Sequence, residues 1–204
     1  MKRLIFSCSI LLFLAAAVAA QPAFTFDELM KIRRVGDPQL SPDGRTVAFT
    51  IGDVNVADNR TLTQIYTIPA TGGSPRQITR GERSSSAPRW SPDGKKIAFV
   101  TGGQIWTMDA NGDDKKQITR ISTGASGPVW SPDGKLLAFS SEVYPDCTSD
   151  ACNRRKDTEA ENSKVQAKVT DRLLYRHWTE WRTVKRTHVF TVPAGGGEAR
   201  QITF

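Results

Sequence analysis

Ser91-Pro92-Asp93-Gly94-Lys95-Lys96-Ile97-Ala98-Phe99 is the stretch on which the fold of this chain turns. Pro92 presets one turn dihedral, Asp93-Gly94 supplies residues that tolerate positive φ, and Ile97-Ala98-Phe99-Val100 is an apolar run with no polar face. Such a run reads as a strand covered on both sides. The same phrase recurs at Ser41 to Phe49 and at Ser131 to Phe139. A second phrase, aromatic-Thr-apolar followed by a glycine-bearing turn and Gln-Ile-Thr, recurs at Tyr66 to Thr79, Trp106 to Thr119 and Phe190 to Thr203, 14 residues each time. The two phrases alternate, and the step from Ser91 to Ser131 is 40 residues. A period of that length, filled with short strands and turns, is the pattern of propeller blades.

The second unit shows the blade without interruption. Pro88 to Ser91 leads into the turn, Lys96 to Thr101 and Gln104 to Met108 follow, Asn111-Gly112 marks another turn, and Lys116 to Thr119 is the fourth strand. Four antiparallel strands make one blade. In the first unit Leu40 takes the place of Trp90 and Trp130, Thr46 to Thr50, Gln64 to Ile68 and Arg76 to Thr79 supply strands, and Ile51 to Thr63 is expected to be a long loop. The third unit begins normally at Val129 to Ser140 and resumes at His188, after an insertion of about 141–186. The expected fold is therefore all-β, a partial propeller of about three four-stranded blades at 37–80, 81–120 and 121–204. A plain antiparallel sandwich with similar turns is the competing architecture, and three copies of two phrases in fixed order disfavour it.

The N-terminus carries Lys2 and Arg3, the apolar run Leu4 to Leu14, and Ala15 to Ala20. This reads as a secretory signal peptide over residues 1–20, cleaved after Ala20 or Ala19, rather than as an uncleaved anchor. An exported location, periplasmic or secreted, with no membrane attachment after cleavage, is the expectation. Residues 21–36 form a lead-in in which Thr25 caps a short helix with Glu28 in capping-box spacing, setting Leu29 and Ile32 on one face.

Past the signal, the only cysteines are Cys147 and Cys152, inside the insertion. In an oxidising compartment they are expected to form a disulfide. A zinc site would have to recruit His177 and His188, and the spacing matches no structural zinc motif. Asp109, Asn111 and Asp113 alternate like a calcium loop, but Asp114 and Arg120 stand where glycine and glutamate are needed. No metal and no cofactor is expected.

The chain has 28 Lys and Arg against 21 Asp and Glu, and without Lys2 and Arg3 the surplus is +5. Arg154 to Arg186 alone holds ten basic and five acidic residues. Nucleic acid is a partner that basic segments suggest, but export argues against it and mixed charge on a solvated insertion explains the composition. Within the insertion, Asp157 to Lys168 lacks proline and glycine and is expected to form a short surface helix. Asp171 to Trp181 packs Leu173, Leu174, Tyr175, His177, Trp178 and Trp181 between charged residues. It reads either as a strand returning to the blade with its tryptophans packed inward or as a guanidinium and indole contact patch.

No nucleophile elbow occurs. Gly73-Ser74-Pro75 and Gly124-Ala125-Ser126-Gly127-Pro128 lack the final glycine, and neither His177 nor His188 lies in a motif with a serine or cysteine. The residues present give the chain no catalytic machinery of its own.

The lead-in Phe24-Thr25-Phe26-Asp27-Glu28-Leu29-Met30-Lys31-Ile32-Arg33-Arg34-Val35, the Ser-Pro-Asp-Gly repeats and Asp171-Arg172-Leu173-Leu174-Tyr175-Arg176-His177-Trp178-Thr179-Glu180-Trp181 together resemble the start of an exported bacterial peptidase of the prolyl oligopeptidase family. The similarity is to its acylaminoacyl-peptidase and dipeptidyl-peptidase-like members and covers Phe24 to Phe204. The resemblance implies a propeller capping a C-terminal α/β-hydrolase domain with a Ser-Asp-His triad, and no triad residue maps onto this chain, which stops at the end of the third blade. It implies a truncated parent whose hydrolase domain and peptide substrates are the partners, with the propeller gating peptide entry. Arg176, His177, Trp178 and Trp181 are then the candidates for the substrate channel or domain interface. A TolB-like periplasmic scaffold without enzymatic activity is the alternative. It would carry a compact α/β domain before the first blade, where only 17 residues separate Ala20 from Pro38.

Overall fold

The computed structural model describes residues 23–165, 167, 176–178, 180, 181 and 184–204. The signal peptide expected at 1–20 lies outside them. The chain divides into a unit of residues 1–32 and a unit of residues 33–204. In the first, helix α1 (Phe26–Lys31) starts where the sequence puts it: Thr25 is the N-cap and its Oγ1 accepts from the Glu28 N–H at 3.3 Å. The Glu28 carboxylate turns to Lys31 Nζ, 2.7 Å away, which pairs two charges one turn apart.

The second unit is built from three four-stranded antiparallel sheets. Blade one comprises β1 (Arg34–Leu40), β2 (Thr46–Asn55), β3 (Arg60–Pro69) and β4 (Arg76–Gln77). Blade two comprises β5 (Ser85–Trp90), β6 (Lys96–Thr101), β7 (Gln104–Asp109) and β8 (Lys116–Gln117). Blade three uses β9 (Ser126–Trp130), β10 (Leu136–Val143), β13 (Arg186–Pro193) and β14 (Arg200–Gln201), with α2 (Asp150–Glu161) and a small hairpin of β11 (Arg176–His177) and β12 (Glu180–Trp181) inserted between β10 and β13.

Each Ser-Pro-Asp-Gly turn is closed in the same way. The serine Oγ donates to the aspartate carboxylate, at 2.6 Å for Ser41, 2.7 Å for Ser91 and 2.6 Å for Ser131, and accepts from the backbone N–H that opens the next strand. The glycines take φ of 70° to 72°, which is why the turn ends in glycine. A second repeated device escapes the sequence reading. Asp37, Ala87 and Gly127, each preceding a proline, sit at positive φ, and the pairing with the next strand shifts there in all three blades. The proline, having no N–H to donate, falls at the bulge.

The sheets stack face to face through an alternation set by the phrase itself. Successive strand residues point to opposite faces. Ala48 packs with Ile97 and Phe99 between blades one and two, and Ala98 packs with Leu137 and Phe139 between blades two and three. Each alanine thus leaves room for the next blade's phenylalanine. Ile65 and Ile78 complete the first interface, Ile105 and Ile118 the second. Phe49, Ile51 and Tyr66 cluster on the opposite face of blade one. The tryptophan before the turn ties neighbouring blades: Trp90 Nε1 donates to the Gln39 carbonyl and Trp130 Nε1 to the Arg89 carbonyl, each at 3.0 Å. Leu40, in the corresponding place of blade one, has no side-chain N–H with which to do this.

Two expectations about local structure are corrected. Ile51 to Thr63 is not a loop: β2 and β3 stay paired from Thr46↔Pro69 out to Asn55↔Arg60, because the β-branched Ile51, Val54, Thr61 and Thr63 suit strands and Asn55 closes the tip by exchanging hydrogen bonds with Asp58. The insertion helix begins at Asp150, not Asp157, and ends at Glu161, because Ser149 caps it by accepting from the Cys152 N–H at 3.3 Å.

Candidate functional site

The insertion grows from the end of β10 as a tied base. Cys147 and Cys152 are bonded, with S–S 2.01 Å and Cα–Cα 5.5 Å, across the turn that leads into α2. The buried Asn153 side chain accepts from the Tyr144 N–H at 2.9 Å and donates to the Ser149 carbonyl at 3.1 Å. Asp150 Oδ1 accepts from both the N–H and the Oγ of Ser122 at 2.7 Å, which fastens the helix start to the linker between blades two and three. Partial burial pushes the Asp150 carboxyl up, but the bonds from Ser122 and Arg154 outweigh it and hold the group below its ordinary value. Lys156 pairs with Asp146 and lowers it likewise. The Tyr144 hydroxyl donates to Asp157 at 3.1 Å, and the Lys156 and Lys185 ammonium groups each lie 5.1 Å from its ring centre. Desolvation first, then Asp157, raises the Tyr144 phenol. Lys185, just before β13, also pairs with Asp157, so the chain leaving the insertion is tied to the chain entering it.

Between α2 and β13 in the chain lies the β11–β12 hairpin, with Arg176 opposite Trp181 and His177 opposite Glu180. The four candidate residues therefore share one tip. Trp178 occupies it at φ +49° with 82% of its surface exposed, and Arg176 Nε donates to the Trp178 carbonyl at 2.7 Å. A bulky residue at positive φ is uncommon. The reading in which the tryptophans pack inward fails at Trp178. The side chains of His177 and Trp181, and residues 171–175, lie outside what the structure describes.

The second feature is the free face of blade three. Ile65 and Ile105 are fully buried, while their repeat equivalent Val189 is 38% exposed. Ile78 and Ile118 are 5% and 3% exposed, while Ile202 is 48% exposed. Val129 and Leu136 stand exposed on the same blade. Val189 and Ile202 thus repeat positions that are buried at the two blade seams and stand exposed in blade three.

Among the described residues no group of three His, Cys, Asp or Glu side chains is placed to hold a metal. His188 Nδ1 lies 3.2 Å from Thr203 Oγ1, the place that Gln64 and Gln104 fill on Thr79 and Thr119. It is a strand latch, which sequence reasoning missed although Gln and Thr recur 15 residues apart in blades one and two.

A family model for the TolB beta propeller domain matches residues 31–163. This chain belongs to the TolB-type β-propeller family. The TolB-type chain is 30% identical over 157 residues, 77% of its length, to dipeptidyl-peptidase 5 of Porphyromonas endodontalis, and 36% identical over 152 residues, 74% of its length, to dipeptidyl-peptidase 5 of Porphyromonas gingivalis. It spans 22% of the length of either relative. Among solved structures, acylaminoacyl peptidase of Pyrococcus horikoshii superposes with a TM-score of 0.63 at 19% identity, covering 86% of this chain and 26% of that one. TolB of Acinetobacter baumannii superposes at 0.50 and 19% identity, covering 82% and 32%. At these identities the solved structures speak to the fold of the TolB-type propeller. Among the described residues no helix is long and apolar enough to cross a membrane.

Proposed function

We propose that residues 37–204 are the leading blades of a propeller that caps the α/β-hydrolase domain of an exported serine peptidase and limits which peptides reach it. The observation that carries this is the identity to dipeptidyl-peptidase 5 through most of this chain but only 22% of the relative, combined with a blade-three face that repeats a buried interface and stands open. A ring takes ~4 to 8 blades, so further blades would cover Val189 and Ile202, and the hydrolase would follow them. Residues 1–20 would direct export and be removed, and the Cys147–Cys152 bond suits that destination. Arg176 and Trp178, displayed together at the hairpin tip, would contact the hydrolase domain or a passing peptide, with His177 and Trp181 beside them in the chain.

The family name also supports a second reading, a binding propeller that docks on envelope proteins without enzymatic activity. Labelling the native protein with a fluorophosphonate that reacts with activated serine separates the two. The peptidase reading expects label on a band well above the 22.5 kDa of this chain, together with release of a chromophore from dipeptidyl substrates. An unlabelled native protein without hydrolytic activity overturns it. In an active enzyme, replacing Arg176 and Trp178 by alanine is expected to alter peptide-length preference. Unchanged preference and unchanged stability remove those two residues from the gate.

A further inference from the structure

Among the described residues, the insertion's helix has no apolar footing. Its sequence, Asp-Ala-Cys-Asn-Arg-Arg-Lys-Asp-Thr-Glu-Ala-Glu, buries only Asn153. Helices of this length are marginal in water unless packing holds them. Here packing is replaced by ties, and they gather at one end: Ser149 as cap, Asp150 on Ser122, Asn153 on Tyr144, Lys156 on Asp146 and Asp157 on Tyr144 and Lys185. All but the outermost are made by residues 144–150 or to them, and apart from Asn153 they are exposed or partly exposed ion pairs and hydrogen bonds, each worth little alone. Among the described residues the Cys147–Cys152 bond is the one covalent cross-link, and it holds the turn before the helix against its first turn, with Cys147 buried and Cys152 half-buried.

We propose that formation of this disulfide is the event that orders the base of the insertion, so that the blades fold first and α2 is set only after oxidation. The chemistry is a two-electron exchange. The more accessible Cys152 thiolate attacks a disulfide oxidant of the Cys-x-x-Cys class and forms a mixed disulfide. In that step one oxidant sulfur leaves as a thiolate; the Cys147 thiolate then attacks Cys152 Sγ and displaces the other, the two protons given up by the cysteines pass to the oxidant's sulfurs, and the oxidant leaves as its dithiol. Such oxidants act outside the cytoplasm, so α2 would take its fixed place only on the exported protein. The inference does not depend on the peptidase reading.

Hydrogen exchange read by mass spectrometry on the whole chain tests it, comparing the oxidised protein, the protein reduced with tris(2-carboxyethyl)phosphine, and the Cys147→Ser/Cys152→Ser double variant. Amides of residues 152–162 are expected to exchange about tenfold faster or more in both thiol-free and reduced forms, the size of effect expected when closure of a short loop is lost from the open state. Amides of β6 and β7 are expected to exchange unchanged. Equal protection of α2 in all three samples overturns the proposal. Simultaneous loss of protection in α2 and blade two also overturns it, because the bond would then be a staple of the whole fold.

Discussion

Ile78, Ile118 and Ile202 are the same residue in the same place of three consecutive blades, at 5%, 3% and 48% exposure. Truncating each to alanine removes identical atoms, so any difference in cost is a difference of surroundings. Three carbons at about 0.8 kcal/mol per buried carbon give about 2.4 kcal/mol of transfer free energy at a closed site. Ile78 and Ile118 sit in the clusters that join blades, where the neighbours Phe99 and Phe139 cannot collapse into the space. The residual cavity adds to the cost, so Ile78→Ala and Ile118→Ala are each expected to cost about 3 kcal/mol, within the usual range of about 2 to 5. At Ile202 about half the transfer free energy is already forgone and no cavity forms against open water, so Ile202→Ala is expected to cost about 1 kcal/mol or less. Urea unfolding of the three variants measures this directly, with the slope unchanged from wild type if the unfolded state is unaffected. A cost at Ile202 equal to that at Ile118 refutes the idea that blade three lacks its covering partner. In a chain that continues into another blade, the Ile202 cost is expected to rise to match the other two.

Trp90→Phe and Trp130→Phe keep a ring but lose the indole bond to the preceding blade, and each is expected to lower stability by about 1 kcal/mol in the same unfolding assay. Gly112→Ala would place a Cβ 2.9 Å from both the Cβ and the carbonyl oxygen of Ile78 across the blade seam at φ +91°, whereas Gly72, at φ +94°, faces open space. Both variants meet the left-handed penalty of about 1 to 2 kcal/mol, and Gly112→Ala is expected to exceed Gly72→Ala by at least about 1 kcal/mol. Asp43, Asp93 and Asp133 are held below the ordinary carboxylate range by the serine hydroxyl of each turn and then by a backbone N–H. A depressed native value contributes stability that is present above about pH 4 and fades as pH falls through it. The triple variant Ser41→Ala/Ser91→Ala/Ser131→Ala is therefore expected to flatten the acid limb of a thermal-stability profile, and an unaltered limb contradicts the assignment.

What the sequence disclosed was local, and what it hid was relational. Ser-Pro-Asp-Gly and Asn-Gly write their turn geometry into adjacent residues, so the two central strands of blade two could be placed to within a residue, whereas its first strand begins at Ser85 rather than Pro88 and its fourth ends at Gln117 rather than Thr119. The run Ile97 to Val100 revealed burial on both faces, but not that Ala98 and Phe99 serve different seams, since that needs the neighbouring sheets in place. The indole bonds of Trp90 and Trp130 and the Gln–Thr latches of Gln64 and Gln104 were hidden for the same reason, though their fixed spacing was a usable signal. In blade one, comparison with the shorter blade two made residues 51–63 look like a loop when their β-branched Ile51, Val54, Thr61 and Thr63 favoured strands. In the insertion, Cys147 and Cys152 drew attention as a pair and concealed the cap at Ser149. The density of aromatic and basic residues at 171–181 left open both an inward-packed strand and a contact patch, and composition alone could not tell that Trp178 stands exposed at the hairpin tip.

Reading the transcript onward from the codon for Phe204 probes the open face of blade three most directly. The expected result is a further Ser-Pro-Asp-Gly unit, with a tryptophan placed to donate to the Val129 carbonyl and a large apolar residue in the place of Phe139. More blades and then a Gly-x-Ser-x-Gly elbow with a later acid and histidine should follow. A stop codon before another blade, or a run of blades with no elbow after it, contradicts the peptidase propeller.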